Sequence, residues 1–193
     1  MSVELINHIS KHITIDKNEL ESVASFFIPV NAKKKEMLIE EGNYCKYHYF
    51  VVKGCMRMFF LTENGTEQTI QFALENWWMT DIEAFNKGKK STLSVQTIEA
   101  CELLAIDRPS LEKLLAVHPD MERYFRMIYE RAYSASLSRV RYIFQLSKED
   151  FYHHFSTTYP EFVQRIPQKI LASFLGFTPE YLSGLRGKGG KRG

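Results

Sequence analysis

The apolar positions along the chain change period twice. In residues 2–26, Leu5, Ile6, Ile9 and Ile13 recur at helical spacing, and Asp16 stands where it can cap a second short helix. From about residue 27 to 106 the texture becomes short runs rich in Ile, Val, Phe, Tyr and Thr. FFIPV, EMLIE, YHYFVV, CMRMFFL, EQTIQFAL, TLSVQTI and CELLAI are seven strand candidates. Gly42-Asn43, Gly54 and Glu63-Asn64-Gly65 lie between them, and Asn64-Gly65 predicts a tight hairpin because both residues tolerate positive φ. Many short strands at regular spacing predict a sandwich or jelly-roll barrel. DIEAFNKGKK, between the fifth and sixth runs, predicts one helical turn and a loop.

From residue 107 the helical period returns. Asp107 can cap, and Pro109 falls near the first turn, where its missing N–H costs nothing. Pro119 then opens a long helix over about 120–145. Met121, Tyr124, Phe125, Ile128, Tyr129, Ala132, Ala135 and Ser136 are spaced three and four apart on it. This stripe packs either on the chain's own barrel or on its twin in a dimer. A helix longer than a small domain is wide favours the dimer, through Tyr124, Phe125, Ile128, Tyr129, Ala132 and Ala135. Residues 147–165 read as a helix and a loop ending at Tyr159-Pro160, and 167–186 as a final helical pair.

That pair, PQKILASFLGFTPEYLSGLR, is the most specific signal. Leu171 and Leu175 share a face, Ala172 is small where helices cross, and Gly176 supplies positive φ at the turn. Thr178 can cap the second helix, Pro179 suits its first position, and Glu180 favours its positive end. Leu182 and Leu185 face back. An ordinary αα-hairpin has the same outline, but the joint placement favours a helix-turn-helix, whose second helix enters the DNA major groove.

Composition narrows the class further. Lysine plus arginine is 25 against 23 aspartates plus glutamates, a net charge of +2. Arg186, Lys188, Lys191 and Arg192 fall in the last eight residues, which carry no acid, so the rest of the chain holds 21 cations against 23 anions. The body is slightly acidic and the tip beyond the last helix is basic. Without an apolar anchor that tip, RGKGGKRG, is expected to be disordered, serving as a phosphate-contacting arm or as a solubilising end. The N-terminus lacks the pattern of a signal peptide, and no run approaches the length of a spanning helix, so a cytoplasmic protein without a membrane partner is expected. Cys45, Cys55 and Cys101 form no CxxC pair and read as buried reduced thiols.

A β-rich N-terminal domain, a long helix and a C-terminal helix-turn-helix together resemble the Crp–Fnr family of transcription regulators. EACELLAIDRPSLEKLLAVHPDMERYF (99–125) is similar to the family's last barrel strand and its entry into the dimer helix. RIPQKILASFLGFTPEYLSGLR is similar to the version often seen in Bacteroidetes members. The resemblance implies an α+β fold: a β jelly-roll over 1–118, a dimerisation helix over 119–146, and a helix-turn-helix domain with a basic tail over 147–193, lacking an evident wing. It implies a homodimer, DNA as partner, room for an unidentified small-molecule effector, and RNA polymerase as a further partner.

Two departures qualify the resemblance. Cyclic-nucleotide-binding members hold phosphate with a Gly-Glu start, a short helix and Arg-(Ser/Thr)-Ala. Here Thr80-Asp81 and Ser91-Thr92-Leu93 occupy those places, and the arginine is absent. Lys89 and Lys90 are adjacent, but an ammonium is not a bidentate fork. Asp81 retains the ability to meet a ribose hydroxyl, yet cyclic AMP binding is not expected. In the reading head, the family's Arg-Glu pair and further Arg correspond to Pro179, Glu180 and Gly184. The contact candidates are Gln168, Lys169, Thr178, Glu180, Tyr181, Ser183, Arg186 and Lys188.

No metal spacing appears among the six histidines, and His8 and His12, four apart without a third ligand, read as surface residues. Residues 1–44 hold no cysteine for an iron–sulfur centre, and no cofactor is expected. There is no nucleophile elbow, Walker loop or dinucleotide fingerprint, so an enzyme is not expected. A catalytic barrel would need metal ligands inside it, and His48 alone is a poor start. The alternative function is a small-ligand sensor module that has lost DNA binding.

Overall fold

The computed structural model describes residues 3–189. The chain forms two compact units, one of residues 1–60 and 71–130, the other of residues 61–70 and 131–193.

The first unit begins with α1 (Val3–Ser10) and α2 (Lys17–Ala24). Asp16 caps α2: its carboxylate accepts from the Asn18 N–H at 2.8 Å, and Glu19 reaches back to the Asp16 N–H at 3.4 Å. Eight strands follow: β1 (Ile28–Ala32), β2 (Met37–Ile39), β3 (Tyr47–Lys53), β4 (Met56–Leu61), β5 (Glu67–Ala73), β6 (Trp78–Met79), β7 (Ser94–Thr97) and β8 (Cys101–Asp107). They build two four-stranded sheets, ordered β1-β8-β3-β6 and β2-β7-β4-β5. This is the expected jelly roll. β8 lies centrally, with Phe50 opposite Leu104 and Pro29 opposite the same residue on the other side. α3 (Ile82–Lys87) fills the interruption, and α4 (Arg108–Val117) opens under Asp107, whose carboxylate accepts from the Ser110 N–H at 2.8 Å.

Three local readings need correction. β6 was not predicted, because two residues carry no readable period. β1 starts at Ile28, so Phe26 and Phe27 precede it. At the β4–β5 turn only Gly65 takes positive φ, at +72°, and the Thr62 N–H reaches the Thr66 carbonyl at 2.9 Å, so the turn spans 62–66 rather than two residues. Gly54, at φ +108°, is obligatory for a different reason: a Cβ there would stand 2.6 Å from Cys101 Sγ. All three cysteines are free and buried, as expected.

α5 (Asp120–Gln145) runs from the first unit into the second. Its stripe divides. Met121, Tyr124 and Phe125 are buried in the chain's own core, so Tyr124 and Phe125 are not free to meet a partner. Tyr124 is fixed by polar contacts as well. The Trp78 indole N–H donates to its hydroxyl at 2.8 Å, and that hydroxyl stands 2.8 Å from His8 Nδ1. Since the oxygen already accepts from Trp78, its own proton is available to donate to His8. His8 is therefore a buried anchor and not the expected surface residue; His12 is half-buried beside it. From Tyr129 onward the exposed apolar positions are Tyr133, Leu137, Val140, Ile143 and Phe144, with Tyr133 66% and Phe144 84% accessible. Ala132, Ala135 and Ser136 are exposed too, and Ile128 is half-buried.

The second unit continues with α6 (Lys148–Thr158), α7 (Pro160–Arg165), α8 (Gln168–Leu175) and α9 (Pro179–Gly189). α7 replaces most of the expected loop. Phe151, Phe155, Phe162, Ile166, Leu171, Leu175, Leu182 and Leu185 form its core. The basic tip is not wholly irregular, since α9 continues to Gly189. The rest of the tip lies outside the described residues. No helix among the described residues is long and apolar enough to cross a membrane.

His48, on β3, is buried among Trp78, Phe85, Phe125 and Tyr129, and its Nδ1 has no hydrogen-bond partner. Burial lowers its pKa from 6.5 to about 3, so the folded protein holds it neutral. The unfolded chain takes up a proton below its ordinary pKa while the native state refuses it. Stability from this group is complete above pH 6.5 and declines as pH falls toward about 3. His48→Leu should flatten the acid limb of stability measured by urea unfolding at a series of pH values; an unchanged acid limb would contradict this assignment.

Candidate functional site

The helix-turn-helix is built as its sequence dictates. α8 ends in a left-handed residue, Gly176 at φ +75°. The Phe177 N–H returns to the Ala172 carbonyl at 2.9 Å and the Gly176 N–H to the Ser173 carbonyl at 3.2 Å, a closed C-terminal motif. Thr178 then starts α9, its hydroxyl accepting from the Tyr181 N–H at 3.2 Å. Leu171, Ala172 and Leu182 are fully buried, and Leu175 and Leu185 nearly so, which locks α8 against α9.

What remains outward is the candidate reading face. Thr178, Glu180, Tyr181, Ser183, Gly184 and Arg186 are exposed on or beside α9, and Lys169 is exposed at the start of α8. Gln168 is half-buried, and its amide donates to the Pro179 carbonyl at 3.3 Å. That contact ties the starts of the two helices together, a positioning role the sequence did not disclose. The Lys188 side chain lies outside the described residues. At Gly184 an added Cβ would meet nothing within 4 Å. Packing therefore does not demand glycine there.

Two grips on the end of α8 were not foreseen. Arg139, on α5, donates to the Phe174 carbonyl at 2.6 Å and lays its guanidinium 4.3 Å over the Phe174 ring. Burial lowers its pKa, though a guanidinium stays charged. Ser173 is held by the first residues of β5, which belong to the same unit. Its hydroxyl accepts from the Thr69 N–H at 2.7 Å and donates to the Glu67 carbonyl at 2.8 Å, and the Gln68 amide reaches its carbonyl. Arginine and serine at these positions have no local signature, because their partners lie far away in sequence.

The candidate effector cassette surrounds α3. Asp81 is buried and caps that helix: one carboxylate oxygen accepts from the Ala84 N–H at 3.1 Å, the other from the Ser91 hydroxyl at 2.7 Å. Ser91 also donates toward the Leu93 carbonyl at 2.7 Å. Thr80 is buried, donates to the Tyr47 carbonyl at 2.9 Å and stands 3.0 Å from Cys45 Sγ. Burial pushes the Cys45 thiol up from its ordinary value, keeping it protonated. Thus Thr80, Asp81 and Ser91 come together, whereas Lys89, Lys90 and Thr92 are exposed. Each Asp81 oxygen thus already accepts one hydrogen bond from the chain itself. A separate groove of about 680 Å³ is lined by Leu5, Phe27, Val30 and Leu103 together with Glu4, Glu21 and Glu102, an acidic set ill suited to phosphate. Among the described residues no group of three or more His, Cys, Asp or Glu side chains is arranged to hold a metal ion.

One chain thus carries a jelly roll and a helix-turn-helix. Residues 29–118 match the model of the cyclic nucleotide-binding domain. The cAMP-activated global transcriptional regulator CRP of Salmonella typhimurium is 25% identical over 87 residues, 45% of this chain and 41% of that protein. The chain thus aligns with about two fifths of the length of the curated relatives it matches. Among solved structures, the c-di-GMP responsive global regulator CLP of Xanthomonas campestris aligns with a TM-score of 0.71 at 17% identity, covering 90% of this chain and 91% of its own. A Crp/Fnr-family transcriptional regulator from Eubacterium rectale aligns with a TM-score of 0.70 at 13% identity, covering 89% and 82%. At these identities the likeness to these structures is one of fold.

Because Gly184 stands in open space within α9, Gly184→Ala should stabilise the protein by up to about 1 kcal/mol, the helix-propensity difference. Thermal or urea unfolding of the second unit checks this; a destabilised variant would mean that the glycine serves packing after all.

Proposed function

We propose that the chain is a homodimeric, DNA-binding transcription regulator of the Crp/Fnr type whose cassette does not bind cyclic AMP. The observation that carries this reading is the closed α8–α9 pair. Its apolar residues are spent internally, while Thr178, Glu180, Tyr181, Ser183 and Arg186 stay outward on one short helix. An αα-hairpin serving only to close a core has no need of such a face.

Dimerisation is supported by the second half of α5. Tyr129, Tyr133, Ser136, Val140 and Ile143 alternate at intervals of four and three, the period of a two-helix seam, with Leu137 and Phe144 beside it. A second copy of the same helix covers such a face symmetrically. In the dimer, the two α9 helices must reach successive major grooves about 34 Å apart. The effector domain acts by favouring one arrangement of the paired α5 helices. An effector biases that equilibrium only as far as its affinities for the two states differ.

The cassette reading rests on Asp81. A phosphate entering at the start of α3 would meet an acidic carboxylate already bonded to the Ala84 N–H and Ser91 hydroxyl, without an arginine to offset it. The effector, if the domain has one, is of another chemistry. RNA polymerase is the natural further partner of such a regulator.

Two measurements test the proposal. Leu137→Glu combined with Val140→Glu should convert a dimer at tens of micromolar into a monomer by sedimentation, and should abolish retention of duplexes enriched by the wild-type chain from a random pool. A wild-type monomer, or wild-type failure to enrich any duplex at low salt, overturns the reading. Calorimetry with cyclic AMP should be silent at millimolar nucleotide; micromolar binding would overturn the cassette assignment.

A further inference from the structure

We infer that Lys148, the first residue of α6, is a DNA phosphate contact standing beside the recognition helix; the inference rests on the DNA-binding reading above. Lys148 lies outside the two helices of the reading head. Its ammonium nevertheless sits 5.6 Å from the centre of the Tyr181 ring and 6.0 Å from that of Phe177. Both rings stand at the start of α9. Phe177 immediately precedes Thr178, and Tyr181 is in the first turn of α9, 42% accessible, between Glu180 and Ser183.

The placement is built, not incidental. Phe151 lies one turn after Lys148 on the same face of α6, and its ring meets Phe177 edge-on at 6.5 Å. Phe177 in turn meets Tyr181 edge-on at 5.4 Å. The aromatic stack fixes where α6 begins relative to α9, and Lys148 is carried with it. Among the described residues no carboxylate pairs with its ammonium. The neighbouring Asp150 is engaged elsewhere, accepting from the Ser147 hydroxyl at 2.6 Å in the α6 cap. A long exposed side chain held over two rings gives up rotamer freedom, and the cation–π attraction offsets part of that cost.

Groove dimensions then say what the cation meets. A helix with its side chains is about 10–12 Å across, and the major groove is about 12 Å wide. A helix in that groove fills it, so a charge standing beside the helix, and not on its tip, faces the phosphates that wall the groove. Lysine is suited to that task because a point charge reads no base geometry. Lys148 therefore adds affinity without sequence preference, and supplements Lys169 and Arg186 from a third helix.

The test uses the full chain with two duplexes, one enriched from a random pool by the wild-type chain and one of random sequence, across about 50–200 mM KCl. Lys148→Gln should lower affinity for both duplexes by the same factor and reduce the slope of log K against log salt by about 0.9. Lys148→Arg should restore the slope. Unchanged thermal unfolding of both variants shows that the exposed substitution leaves the fold intact. A wild-type slope in Lys148→Gln overturns the inference, as does a loss confined to the enriched duplex, which would mean that Lys148 acts by orienting Tyr181. A wild-type chain that binds neither duplex overturns the DNA-binding reading itself, and this inference with it.

Discussion

The structure turns on one helix with two obligations. α5 has 26 residues and is about 39 Å long. Its first two turns are core: Met121, Tyr124 and Phe125 are buried, and Tyr124 is bonded between Trp78 of the barrel and His8 of α1. Beyond Tyr129 the same stripe is left uncovered among the described residues. Yet Arg139, within that uncovered half, holds the last turn of α8 by a charge-assisted bond to Phe174. The first turns of the helix are thus part of the barrel's core, and Arg139 further along holds the end of α8.

The start of α3 illustrates how a helix terminus is satisfied from within the chain. An anion site at a helix start is a set of backbone N–H groups awaiting charge. Here the protein supplies the charge from within, as Asp81, and ties it down with Ser91. Gly88, at φ +61°, ends α3 in the left-handed conformation.

Sequence legibility followed the range of the interactions. The caps at Asp16, Asp107 and Thr178 were readable because donor and acceptor lie within three residues. The reading head was readable for the same reason: Ala172, Gly176, Leu182 and Leu185 constrain one another inside fifteen residues. By contrast, His8 looks like a surface residue until Tyr124, 116 positions away, is placed against it. The stripe on α5 could be recognised as apolar, but periodicity does not say which half the barrel claims. That is why Tyr124 and Phe125 were assigned to a partner and Tyr133, Leu137 and Val140 were passed over. Ser173 and Arg139 escaped notice entirely, since an exposed-looking serine and arginine carry no pattern when their partners are distant.

The reading head itself poses a question of balance. Gly184 leaves open space where a longer side chain would read a base edge, and Pro179 offers no donor at all. The outward face keeps Glu180, a hydroxyl pair at Thr178 and Ser183, and one aromatic ring at Tyr181. Against an acidic body such a face binds nucleic acid only if cations stand around it. They do so on three separate elements: Lys148 on α6, Lys169 on α8 and Arg186 on α9. Affinity drawn from the phosphates and discrimination drawn from a few base-edge contacts are separable quantities. On the DNA-binding reading proposed above, a face with few base-edge contacts and flanking cations favours affinity over discrimination. The net charge of +2 averages a slightly acidic body, which includes Lys148 and Lys169, with the four cations of the last eight residues.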